Sequence, residues 1–539
     1  METVLALIGY IVIPYFILLI SYRLFFHPLR HVPGPFLAKI SDCYVGYYAI
    51  KQSLHLATCR DCVRYGRVMR YGPNRLGITD IYKNPRVTKS TLYLFSRNEN
   101  EPFVFNTLDR DAHARKRRII APALSERSMR LFESTMVAQV DLFLARIASS
   151  SVRSSDGESE SESEGKRGIN IAPRSRRLAM DVAGRMGFGY DLGLQRHEGN
   201  KFILDGIAMA NYRINAYMNF PFLSKLGFDL ILKRSPVRPK WRGLVGEMIR
   251  TRLSAAKGDL HDFYAYVADG LEGREGEGEK MEHGELFAES LFFMSAGGDT
   301  VSSAIAGLFF YLSRNPSCYA KLANEIRSTF TNEEDIRSGP KLSSCRYFRA
   351  CIDETLRMSP PITGTLWRQL AHDDEQKPLV IDGQLIPPGT HFGVSAYAMH
   401  HNEEYFRDPY TFLPERWMQA TSDPNSNSTS NSNPDEVEEK KDDGIQPHNP
   451  RAFIPFSTGA RSCAGKPMAY LEMSLVMAKT LFRFDYERFD GEVGGVGAGG
   501  RGLGDKGRMR MDEFQLYDTL TSRHDGPYLV FRPRGCVKV

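Results

Sequence analysis

Hydrophobic positions along the chain fall into two regimes. The first is an unbroken run, Val4 to Ile20 (VLALIGYIVIPYFILLI), that contains no charged residue. As a helix rising about 1.5 Å per residue it approaches the hydrocarbon thickness of a thin bilayer. Further on, most segments carry apolar residues at helical spacing. Phe287 to Tyr311 (FAESLFFMSAGGDTVSSAIAGLFFY) is apolar nearly all round, which predicts a helix through the core rather than on the surface. Strand signals are short and scattered, as in PLVIDG (378–383), THFGVSAY (390–397) and PYLVFRP (527–533). The pattern predicts a mainly α fold with small β-sheets.

Only Glu2 precedes the apolar run, whereas Arg23, Arg30 and Lys39 follow it. The positive-inside rule then puts the body of the chain on the cytosolic side. A cleaved signal peptide lacks its basic n-region and small-x-small site here, and Pro14 argues against a buried core helix. Residues 1–22 are therefore expected to form a transmembrane anchor. Residues 23–36, with Pro28, Pro33 and Pro35, should form a stiff hinge, and 37–539 one large domain. Stretches near 153–168, 271–285, 420–450 and 490–508 are too polar or glycine-rich to bury an apolar face and are expected to be solvated loops. Gly495, Gly497 and Gly500 satisfy G-x-G-x-x-G, but no strand precedes them and no apolar helix follows, so a dinucleotide site is rejected.

Composition adds little beyond a folded, globular class: of 539 residues, 42% are hydrophobic and 25% charged. A net charge of +6 on such a length does not call for a nucleic-acid partner. The eight cysteines follow no framework spacing, and the pair Cys59 and Cys62 lacks the second pair that a zinc site needs.

The chemistry concentrates in FSTGARSCAGK, Phe456 to Lys466. Pro467 suits the first turn of a helix, so Cys463 lies just ahead of a helix N-terminus that favours a thiolate, as ligand or as nucleophile. The glycines let something large and flat approach the backbone, and Arg461 offers a cation to an anionic group on it. Phe456, Gly459, Arg461, Cys463 and Gly465 occupy every fixed position of F-x-x-G-x-R-x-C-x-G, the haem-binding signature, and the chain resembles the cytochrome P450 family of haem-thiolate monooxygenases.

The resemblance extends to three further places. Glu354 and Arg357, three apart on a helix, match the family's helix pair, and Arg416 in LPERW matches the arginine that joins them. Trp417 stands where many members have Phe, which should change packing but not the ionic logic. Two adjacent glycines in AGGDT, Ala296 to Thr300, each cost a helix about 1 kcal/mol relative to alanine. Close helix packing is one reason for them; the resemblance implies another, an oxygen-binding kink with Asp299 and Thr300 as a proton relay. In DRDAHARKRRI (109–119), His113 and Arg117 resemble the propionate-binding pair, with Arg368 as third partner, while Arg115, Lys116 and Arg118 are expected to face outward toward an acidic reductase. Phe292, Phe293, Ala296, Ile362, Thr363, Leu366, Thr519 and Leu520 are candidate pocket walls.

What the resemblance implies is a single-pass protein of the endoplasmic reticulum membrane with its catalytic domain on the cytosolic face. Haem b on Cys463 would take NADPH-derived electrons from a separate reductase, or cytochrome b5. It would hydroxylate or epoxidise a hydrophobic small molecule, most like the fungal members that modify secondary metabolites. Two other readings stay open: a haem-thiolate isomerase or dehydratase that needs no reductase, and a non-catalytic membrane haem-binding protein.

Overall fold

The computed structural model describes residues 2–78, 81–97, 101–152, 168–226, 237–254, 262–263, 283–371, 377–418, 449–503 and 506–535. The expected loops near 153–168 and 420–450, and most of 271–285, lie outside these residues.

Helices longer than ten residues are α1 (Glu2–Ser21), α2 (Leu54–Tyr65), α3 (Arg110–Ile120), α4 (Glu126–Val152), α5 (Ile171–Phe188), α6 (Phe202–Asn219), α7 (Val237–Ser254), α8 (His283–Arg314), α9 (Pro316–Thr329), α10 (Arg346–Met358) and α11 (Lys466–Arg483). The nearly all-apolar α8 runs through the main core, where Ala304, Ile305, Leu308 and Phe309 are shut from solvent. Asp109 caps α3 by accepting from the Ala112 N–H, and Asn170 caps α5 from the Ala172 N–H.

The strands are β1 (Met69–Gly72), β2 (Arg75–Gly77), β3 (Val87–Lys89), β4 (Ile169–Asn170), β5 (Thr365–Leu370), β6 (Leu379–Ile381), β7 (Gln384–Ile386), β8 (His391–Ser395), β9 (Phe484–Arg488) and β10 (Tyr528–Pro533). They form sheets ordered β1-β2-β8-β5-β3 and β4-β10-β9, and the hairpin β6-β7. Asp382 and Gly383 turn that hairpin, both at positive φ (48° and 75°), as a two-residue turn of this twist requires.

The hinge is seated on the body: the Arg70 N–H donates to Pro33 O (2.6 Å), and its guanidinium to Arg23 O (3.0 Å) and Pro73 O (2.9 Å). Among the described residues no helix is long and apolar enough to cross a membrane. The described side chains of α1, from Tyr10 to Leu18, are exposed. The stretch 490–508 departs from expectation, because its described part is not a loose solvated loop. Gly499 N–H bonds Arg510 O (3.0 Å) and Gly500 N–H bonds Arg508 O (2.8 Å), and a Cβ at Gly499 would collide with those carbonyls. Its glycines permit close packing of backbone on backbone.

Candidate active site

Between Phe453 and α11 the chain forms a tight loop. Cys463 N–H donates to Phe456 O (2.9 Å) and Ser462 N–H to Gly459 O (3.0 Å). Gly459 takes φ +74°, and a Cβ there would collide with Tyr82 O. It is therefore needed against the protein's own backbone, and it does not line the cavity that the sulfur faces, which corrects the expectation that it clears space for a cofactor. Gly465 is the residue that does so: the nearest atom to a Cβ there is the Cys463 Sγ at 3.9 Å. Burial pushes the Cys463 thiol up, while the Gly465 N–H, Arg117 and the Lys466 N–H pull it back toward the thiolate. The sulfur is enclosed by protein yet open to a cavity of about 970 Å³.

Phe292, Phe293, Ala296 and Thr300 of α8, with Ile362, Leu366 and Leu520, line this cavity. Phe292 stacks on Phe103 and Phe105 (centroids 4.8 and 5.3 Å) and Phe293 packs on Phe263 (4.2 Å). Thr363 and Thr519 are not wall residues. The first points its hydroxyl at Ser522 Oγ (3.2 Å) and the second donates to Thr521 O, so both are spent on fastening the 518–522 segment.

α8 continues unbroken through AGGDT, and Thr300 Oγ1 donates to Ala296 O (2.6 Å) within it. A Cβ on Gly298 would stand 2.9 Å from Met180 Sδ and 3.3 Å from Met180 Cα, so this glycine serves the close crossing of α8 over α5. Gly297 lines the cavity. Asp299 turns away from it: its carboxylate accepts from Arg176 Nε (2.8 Å), Asn211 Nδ2 (3.0 Å) and Thr521 Oγ1 (3.4 Å). Asn211 and Thr521 do line the cavity and carry the connection from the wall to the acid.

Five basic side chains converge along one edge. Arg117 donates to Ser462 O (2.9 Å), Arg461 to Thr107 O (2.6 Å) and Leu108 O (3.2 Å), and Arg368 to Trp367 O (3.0 Å). His113 is driven down to about 3 by burial, then by Arg461, Lys89, Arg117 and Arg368. Burial and Arg368 bring Arg461 down to about 10. The fifth, Lys89, was not among the sequence candidates. It lies between the rings of Tyr93 (4.3 Å) and Phe105 (3.5 Å), and burial, Arg368 and Arg461 hold it well below the ordinary lysine range. Lys89 pairs directly across β3 and β5 with Arg368, an arrangement of like charges that destabilises a sheet unless an anion joins them. Among the described residues that line the cavity, Asp205 is the sole acid.

The rest of the basic run is corrected. Lys116 is buried, with its Nζ 2.9 Å from Glu285 Oε1 and 3.3 Å from Glu289 Oε1, and Arg115 reaches Glu285 at 2.6 Å. These cations fasten α3 to the start of α8 instead of facing a partner; Arg118 is exposed.

Behind the loop, Arg357 grips Glu354 with two bonds of 2.9 Å, and Arg416 Nε reaches Glu354 Oε1 at 3.0 Å. Trp417 does more than change packing: its Nε1–H donates to Glu354 Oε2 (2.9 Å). Arg357 also donates to His400 O (2.9 Å), and His400 accepts the Ile454 N–H on Nε2 (3.0 Å), so its proton sits on Nδ1 and goes to Arg357 O (3.0 Å). The imidazole thus joins the ionic network to the strand of chain that leads into Phe456.

Comparison with known proteins agrees with this geometry. The family model "Cytochrome P450" matches residues 75–493. The chain is 34% identical to "Cytochrome P450 monooxygenase AKT7" of Alternaria alternata, over 97% of this chain and 96% of that one. It is 33% identical to "Cytochrome P450 monooxygenase apf7" of Gibberella fujikuroi, over 96% of each. With "Cytochrome P450 monooxygenase atnE" of Emericella nidulans the identity is 30%, over 96% of this chain and 94% of that one.

Proposed function

The chain belongs to the cytochrome P450 family, and from that membership we propose that it is a haem-dependent monooxygenase that takes NADPH-derived electrons from a reductase and hydroxylates or epoxidises a hydrophobic small molecule of fungal secondary metabolism. The observation that carries this reading is the pairing of a cavity-facing thiol, Cys463, with an edge of surplus positive charge. A planar dianion with a metal at its centre fits both: its acids would meet Lys89, Arg368, Arg461, Arg117 and His113, and its flat face the opening beside Gly465. When bound, haem would supply oxygen activation and electron acceptance, with the Cys463 sulfur holding its iron.

The chain's own residues do the rest. The phenyl wall and Ala296 bind and orient an apolar substrate and keep water off it. Thr300 holds a hydroxyl at the wall. Asp299, with Asn211 and Thr521, holds a carboxylate one step behind it, where protons can be passed inward from the Arg176 side.

The helix α1 is proposed as the membrane anchor, with the catalytic domain on the cytosolic face of the endoplasmic reticulum. Its exposed Tyr10, Ile11, Ile13 and Leu18 support this, as does the placement of Arg23 and Arg30 after it. Loss of sedimentation with membranes on deleting residues 1–22 is the expected result; unchanged sedimentation counts against it.

The catalytic reading is tested by the carbon monoxide difference spectrum of the reduced protein. A thiolate-type Soret band is expected in the wild type and lost in Cys463→Ala. Its absence from the wild type would sink the assignment.

A further inference from the structure

One wall of the cavity carries a cation that the machinery above does not use. Arg97 follows the short helical turn Thr91–Ser96 and lines the cavity. Its Nε is packed against protein and has no hydrogen-bond partner, and the half-buried guanidinium makes no ion pair or ring contact among the described residues, so its two Nη groups are what it offers the cavity. Every other cation on the cavity edge is engaged: Arg117, Arg368 and Arg461 donate to backbone carbonyls, and Lys89 donates to Phe105 O. The neighbouring Ser96 hydroxyl is also spent, donating to Tyr93 O (2.7 Å) and accepting from Asn106 Nδ2 (3.2 Å).

A guanidinium stays charged at any physiological pH, and an N–H sheltered from water without an acceptor is costly. The other charged groups along the cavity do not answer it. Asp205 forms no ion pair with it among the described residues, and Arg213 lies over the Tyr217 ring (5.6 Å). What remains, among the described residues, is one unanswered planar fork in a chamber otherwise walled by Phe103, Phe105 and Phe292.

We propose that Arg97 is the anchor for a carboxylate on the substrate, so that the enzyme acts on apolar carboxylic acids held acid-to-guanidinium with their hydrocarbon portion along the phenyl wall. The two Nη groups match both carboxylate oxygens at once, and the ion pair would form at a half-buried position on the cavity wall. The anchored end is then fixed, and the distance from it to the reacting carbon becomes the ruler that selects the position of oxidation. This rests on the monooxygenase reading above.

The test uses haem-loaded, full-length protein and the high-spin shift of its Soret band. Straight-chain acids from octanoic to hexadecanoic are titrated beside their methyl esters. An acid is expected to bind roughly 10- to 100-fold tighter than its ester, as one charge-assisted pair allows. Arg97→Gln should collapse that preference to near unity with unchanged haem content, and Arg97→Lys should keep part of it. Equal binding of acid and ester, a preference that survives Arg97→Gln, no shift with any acid, or loss of haem from Arg97→Gln would each overturn the inference. A normal thiolate Soret band alongside any of these leaves the monooxygenase reading standing; a missing band removes both.

Discussion

Replacing Glu354 with glutamine changes one oxygen to an amide nitrogen at almost constant volume, yet the structure assigns it a large effect. The carboxylate accepts five hydrogen bonds: two from Arg357, and one each from Arg416, Trp417 and the Leu413 N–H. Glu354 and Arg357 are wholly buried and Arg416 nearly so. Glutamine would face donors with a donor and leave two buried guanidinium groups without an anion. Removing one partner of such a group costs about 3–5 kcal/mol, which for a chain of this size lowers the unfolding midpoint by about 3–4 °C. Trp417→Phe, which removes one bond to a charged group and keeps the ring, should cost about 1.5–3 kcal/mol. Circular dichroism melts of the haem-loaded proteins give the comparison. The pH dependence sharpens it. Burial pushes the Glu354 carboxyl up, but Arg357, Arg416 and the Leu413 N–H more than reverse this and hold it below the ordinary glutamate range. A depressed carboxyl stabilises the fold above its unfolded pKa and loses that stabilisation as pH falls through the folded value. The gap between wild type and Glu354→Gln should therefore narrow in acid. A midpoint within about 1 °C of wild type at neutral pH, where at least 3 kcal/mol is expected, or a gap that stays constant on acidification, refutes the reasoning.

Further outcomes follow from the same geometry. Gly459→Ala should lower haem content and melting temperature through its positive φ and the Tyr82 carbonyl, whereas Gly465→Ala should leave the melting of haem-free protein unchanged and weaken only haem retention; the reverse order counts against both roles. Lys89→Met should raise the stability of haem-free protein, by removing a charge opposite Arg368, and speed haem transfer to a scavenger globin; a mutant that melts lower and keeps its haem would show Lys89 to be purely structural. His400 is pushed down to about 3 by burial and Arg357, so the folded protein keeps it neutral where the unfolded chain protonates it. Its contribution is complete above the ordinary histidine value and is lost on acidification toward 3, at about 1.4 kcal/mol per pH unit. His400→Gln should flatten the stability–pH slope by that amount, and a parallel slope would exclude the assignment.

How much of this was legible depended on whether the partners lie near one another along the chain. The Cys463 loop is contiguous, and Glu354 with Arg357 is a one-turn spacing, so both could be read directly. Arg115 and Lys116 looked like a solvated basic face because their acids, Glu285 and Glu289, sit some 170 residues away, and only the crossing of α3 against α8 joins them. Lys89 could not be found without the pairing of β3 with β5, which brings it opposite Arg368. The donation by Trp417 depends on which way an indole lies, and a residue type does not reveal that. Thr363 and Thr519 failed as wall residues because neighbours in a bent segment alternate in direction: Ile362 and Leu520 face the cavity while the threonines fasten the chain behind it.

The bond from Ile454 N–H to the His400 imidazole has a consequence for how such a protein can be altered. The loop carrying the sulfur takes its position from behind, through His400, Arg357 and Glu354. Most of the cavity wall comes from α8, the turn at 361–366, the segment at 520–521 and the stretch up to Arg97. Mounting and chamber thus share chiefly Leu356, Ile454 and the loop itself, and the rest of the chamber can be rebuilt for a guest of another shape without re-aiming the sulfur.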